Sequence, residues 1–70
     1  MVRQPVFSSN LKSVGYDPAS SVLEIEFHNG SIYQYRGVPK SIYVALMAAA
    51  SLGSFFHRHI KDKYPYKKVG

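Results

Sequence analysis

The sequence predicts an α+β domain, a three-stranded antiparallel β-meander followed by two short α-helices packed on one sheet face. Three observations carry that prediction. Residues 22–28 alternate strictly, with Leu23, Ile25 and Phe27 on one side and Glu24, Glu26 and His28 on the other, the period-2 pattern of a half-buried strand. Asn29-Gly30, a dipeptide suited to a tight hairpin turn, follows at once and is succeeded by a second strand-like run, Ser31-Ile32-Tyr33-Gln34-Tyr35-Arg36. Beyond Pro39 the period changes, and Ile42, Ala45, Leu46 and Ala49 recur at helical spacing.

Residues 1–9 contain Pro5 and the paired Ser8 and Ser9 without sustained periodicity, so they are expected to form a flexible N-terminal arm in which only Val6 and Phe7 could dock. Residues 10–70 then form one domain. Its first strand runs from about Leu11 to Tyr16, and Asp17-Pro18-Ala19-Ser20-Ser21 is a cluster of turn formers. If Asn29 and Gly30 alone make the next loop, Glu26 pairs with Tyr33 and Glu24 with Tyr35, and both tyrosines lie on the solvent face. One further loop residue, or a bulge, places them on the core face with Leu23, Ile25 and Phe27. Both registers stay open, because a one-residue slip turns every side chain over.

Gly37-Val38-Pro39 ends the strand, and Pro39 with nearby Ser41 starts the first helix. Ser51 or Ser54 offers an N-cap for a second, in which Phe55, Phe56, His59 and Ile60 make an apolar stripe that leaves Arg58 and Lys61 outside. Pro65 is expected to stop regular structure, leaving Lys63-Tyr64-Pro65-Tyr66-Lys67-Lys68 as a basic tail.

A length of 70 residues limits the chain to a single small core, and 46% hydrophobic residues suffice to build one. The absence of cysteine excludes disulfides, a thiolate nucleophile and cysteine-based zinc sites. No run approaches the ~18 apolar residues of a membrane span, and the N-terminus lacks the order of a signal peptide, so a cytoplasmic protein without a membrane partner is expected. The net charge of +5 is unevenly spread. Residues 36–70 hold Arg36, Lys40, Arg58, Lys61, Lys63, Lys67 and Lys68 against Asp62 alone, a net of +6. A polyanion is the partner such a half attracts.

Tyr33 and Tyr35, two apart in a strand, place their rings on one face about 7 Å apart, where each could stack a base or pack as core. Arg58, Lys61, Lys63, Lys67 and Lys68, interleaved with Tyr64 and Tyr66, have the composition of a phosphate-tracking surface with aromatic platforms, which Arg36 and Lys40 would extend. His57 and His59 point to nearly opposite sides of a helix and do not make a metal pair. Glu24 and Glu26 share a strand face but read as solubilising residues without a pocket or nucleophile beside them, and the glycines form no phosphate-cradling loop. No enzyme, cofactor or small-molecule substrate is expected.

The order of motifs adds a resemblance. Gly15-Tyr16-Asp17, Asn29-Gly30, Tyr33-Gln34-Tyr35, Gly37-Val38-Pro39, Ala50-Ser51-Leu52-Gly53-Ser54-Phe55-Phe56, Ile60-Lys61 and Tyr64-Pro65-Tyr66 succeed one another as in the KTSC domain, which the chain resembles from about Leu11 to Val69. Members of that family occur as small free-standing bacterial and phage proteins and at the C-terminus of some lysyl-tRNA synthetases. The resemblance implies an RNA partner, tRNA among them, and marks Tyr33 and Tyr35 as motif positions. The expected function is therefore a small non-enzymatic RNA-binding module that uses Tyr33, Tyr35, Arg36, Lys40, Arg58, Lys61, Lys63, Tyr66, Lys67 and Lys68. The alternative is a protein-interaction module or small regulator that docks an acidic surface of a larger complex, such as a polymerase or synthetase, through the Leu11–Tyr16 edge or the Val6-Phe7 arm.

Overall fold

Turn chemistry sets the order of the elements. The computed structural model describes residues 1–70. Along the chain it contains β1 (Gln4–Pro5), β2 (Leu11–Asp17), β3 (Val22–Phe27), β4 (Ile32–Tyr35), α1 (Lys40–Ala48), α2 (Leu52–His59) and β5 (Tyr66–Lys68). The strands form one antiparallel sheet in the order β1-β2-β3-β4-β5. The α+β class and the two helices therefore stand, while the three-stranded meander was two strands short. Both additional strands are edges of two or three residues, too short for an alternation to show in the sequence.

The supposed N-terminal arm supplies β1. Gln4 pairs with Val14 and Pro5 with Ser13, and the Val6 amide donates to the Lys12 carbonyl at 3.1 Å. The β2 edge, a candidate for strand addition, is thus already covered. Pro5 is tolerated because it lies on an edge, where no ladder donor is needed on its far side. The supposed tail supplies β5, which pairs Tyr66 with Tyr35, Lys67 with Gln34 and Lys68 with Tyr33. Pro65 immediately precedes this strand instead of ending regular structure, and its carbonyl accepts from the Arg36 amide at 2.9 Å. The outer edges of the sheet are therefore β1 and β5.

At the β2–β3 turn the Asp17 carboxylate accepts from the Ala19 amide and the Ser20 hydroxyl, and these bonds hold its carboxyl below the usual carboxylate value. The β3–β4 loop settles the open register. The Phe27 amide donates to the Ser31 carbonyl and the Gly30 amide to the Phe27 carbonyl, each at 2.9 Å, so His28, Asn29 and Gly30 form a three-residue loop. Only Gly30 takes a positive φ, +90°, while the Asn29 side chain accepts from the Ser31 amide. A type I turn followed by a left-handed residue is the usual geometry for a loop of this length. Ile25 consequently faces Tyr33 and Leu23 faces Tyr35, so both tyrosines join the core side.

A bulge between Leu11 and Ser13 lets Leu11 and Val14 both face inward although they are three residues apart. They meet Leu23, Ile25, Tyr35, Val38, Leu46, Phe56 and Ile60 in one buried cluster, which places both helices against the same sheet face. Of the two serines offered as caps, Ser51 is the one that starts helix α2, its side chain accepting from the Ser54 amide at 3.2 Å. Tyr16 lies flat on Tyr43 of α1 with ring centres 4.9 Å apart and donates its hydroxyl to the Val38 carbonyl. No helix is long and apolar enough to cross a membrane.

Candidate nucleic-acid interface

Three β-strands and a helix converge on the helix-bearing face of the sheet, and the helices leave part of that face uncovered. The β3–β4 hairpin, α2 and β5 border a cleft of about 530 Å³ there, with aromatic residues as its floor and Asn10, His28, His57, Lys61 and Asp62 along its walls. The floor is a continuous set of rings. Phe27 meets Tyr33 at 5.8 Å and Phe56 at 5.4 Å, Tyr35 meets Phe56 at 5.5 Å, and Tyr66 lies 5.8 Å from Tyr33 and 5.6 Å from Tyr35. Edge-to-face and tilted pairs at such distances hold each ring in place.

The three tyrosines differ in what they offer. Tyr66 on β5 is 54% exposed, Tyr33 is half-buried, and Tyr35 is only 5% exposed. Tyr35 therefore supports the floor and does not present its ring for stacking, which removes it from the exposed platform while keeping it in the site. Burial, and then the charges of Tyr33, Tyr66 and Asp62, push the Tyr35 hydroxyl up to about 12. No buried side-chain oxygen of the protein lacks a partner, and Tyr35 makes no hydrogen bond, so its hydroxyl opens to the cleft.

The KTSC domain family model matches residues 7–64. The chain belongs to the KTSC domain family. The crystal structure of a KTSC domain protein from Yersinia pestis superimposes with a TM-score of 0.94 at 47% identity, over 99% of this chain and 97% of that one. An uncharacterized protein of Stutzerimonas stutzeri is 42% identical over 99% of both chains. A lysine–tRNA ligase of a Nostoc species is 38% identical over 61 residues, which is 87% of this KTSC domain and 11% of the ligase. The matched span, 7–64, omits β1 and β5, whereas the Yersinia pestis structure covers both.

Of the residues expected in the site, the KTSC domain brings Tyr33, Tyr35, Lys61 and Tyr66 together in the cleft. Lys68 shares the cleft side of the sheet through its pairing with Tyr33, but Lys67, opposite Gln34, points to the other face. Arg36, Lys40, Arg58 and Lys63 are exposed and lie outside the cleft walls. None of these seven cations forms an ion pair; the ion pairs of the protein belong to Arg3 and Lys12. His57 lines the cleft, while His59 packs on Phe55 with ring centres 4.5 Å apart.

Sequence reasoning missed Phe27, Phe56, His28 and Asp62 as site residues. The first two read as core, and only the isolation of Asp62 in a basic half set it apart. It also misjudged Glu24. That side lies on the opposite face of the sheet, where the N-terminal segment crosses Gly15 so closely that a β-carbon there would stand 2.9 Å from the Val2 carbonyl. Arg3 binds the Glu24 carboxylate and donates to Ser13, Ser13 donates to Glu26, and Gln34 donates to Glu24 at 2.8 Å. Glu24 is 7% exposed and is a structural acceptor, not a solubilising residue. Burial alone would push its carboxyl up, but the hydrogen bonds from Gln34 and Arg3 and the Arg3 charge outweigh burial and hold it below 4.5.

Proposed function

We propose that this KTSC domain binds RNA without catalysing a reaction, with bases on the aromatic cleft and phosphates on the surrounding cations. The observation that carries the reading is the joining of an exposed ring, Tyr66, with Tyr33 and Lys61 in one cleft of a protein whose second-half cations are all unpaired. Stacking is tolerant of base identity, and phosphate neutralisation supplies affinity, so the two together suit single-stranded or looped RNA. The name of the Nostoc relative, a lysine–tRNA ligase, makes tRNA the first structured RNA to try. The free outer edge of β5, with Lys67 and Lys68, favours an acidic protein segment as the competing partner.

Fluorescence anisotropy with labelled tRNA and single-stranded RNA, at about 50 and 200 mM salt, tests the reading. Six or more phosphate contacts would weaken binding about a thousandfold over that range. RNA affinity above that for heparin, lost in Tyr66→Ala, is the expected result. Equal, weak affinity for every polyanion would overturn it and turn attention to an acidic protein.

A further inference from the structure

Asp62 stands where an aspartate is poorly served. Its φ of +62° is in the left-handed region, which a β-carbon disfavours, and it lies two residues past Ile60, the C-cap of α2, near the negative end of the helix dipole. Nothing inside the protein compensates. Its carboxylate makes no hydrogen bond, and although Arg58, Lys61 and Lys63 are close in sequence it forms no ion pair. It lines the cleft beside Tyr35 and Tyr66. A carboxylate is acceptor-only and takes two parallel N–H donors. Among the four RNA bases, guanine alone presents two adjacent donors on one edge, its N1–H and its N2 amino group. Adenine and cytosine set one amino group beside an acceptor, and uracil sets its N–H between two carbonyls that a carboxylate repels.

We propose that the cleft selects guanine, with the base stacked on Tyr66 and its N1–H and N2 amino group donating to the Asp62 carboxylate. Lys61 on the same wall supplies the cation for a flanking phosphate. The inference rests on the RNA-binding reading and adds base identity to it. The volume of about 530 Å³ falls in the range of small-molecule sites, which leaves room for a nucleotide.

The test compares labelled single-stranded oligonucleotides of adenosine, cytidine or uridine with the same oligonucleotides carrying one central guanosine or one inosine, which lacks the N2 amino group. The guanosine oligonucleotide is expected to bind about tenfold tighter than its parent, and inosine to lose most of that gain. Asp62→Gly should abolish the preference while keeping Tm at or above that of the unaltered protein, and Asp62→Asn should abolish it without changing the backbone preference. Equal binding of all oligonucleotides overturns the guanine assignment and leaves RNA binding in place, as does a preference that survives in Asp62→Asn. Failure of every oligonucleotide and of tRNA to bind at low salt overturns both.

Discussion

Tyr35 and Glu24 lie on opposite faces of the same sheet, and each ties the fold to pH with an opposite sign. The folded protein holds the Tyr35 proton up to about 12, whereas an ordinary tyrosine releases it at 10.0. The contribution is therefore complete below 10.0 and drains away as pH rises to about 12. Tyr35→Phe should show a smaller fall in Tm across that interval, and an equal fall in both proteins would refute the assignment. Glu24 behaves in reverse, because its folded carboxyl titrates below 4.5; its contribution is present above that value and disappears as pH falls through the folded value. Glu24→Gln should cost about 1–3 kcal/mol in urea unfolding at neutral pH and flatten the acid side of the stability profile.

The β3–β4 hairpin shows how much one loop residue decides. A two-residue loop would have turned Tyr33 and Tyr35 to the Glu24 side, and the cleft would have no floor. Gly30, at φ +90°, permits the longer loop, so Gly30→Ala should destabilise by about 1 kcal/mol in thermal unfolding, with the largest chemical-shift changes in the hairpin. Beta-strand alternation made β3 legible in the sequence, helical spacing and a serine cap made α1 and α2 legible, and the turn at Asp17 was plain from its composition. Loop length was not legible, since Asn29-Gly30 serves two- and three-residue loops alike. Edge strands β1 and β5 were not legible either, because their two or three residues gain their structure from a partner and carry no period of their own. The aromatic character of the site could be read from Tyr33, Tyr35 and Tyr66, but their unequal exposure follows from the register and from the packing of Phe27 and Phe56, both non-local.

Across the whole molecule the basic residues divide by face, which gives the charge a direction. Lys68 lies on the cleft side and Lys67 on the Arg3–Glu24 side, though the two are adjacent in sequence. Lys68→Glu should therefore weaken RNA binding more than Lys67→Glu, and should reduce the salt dependence more, in anisotropy titrations. Matching effects of the two changes would mean that RNA tracks the tail and not the cleft. The sheet order follows the chain order, but both helices intervene between β4 and β5, so β5 closes the longest loop in the sheet. All three of its residues are exposed, and the Val69 and Gly70 amides beyond it share the Ile32 carbonyl. Such a strand is expected to open at lower cost than the buried cluster, which amide exchange would read directly. Because Tyr66 leaves with it, the cleft loses its most exposed ring in each opening, and under the RNA-binding proposal β5 is a latch: ligand capture and amide-exchange protection of residues 66–70 should rise and fall as one equilibrium.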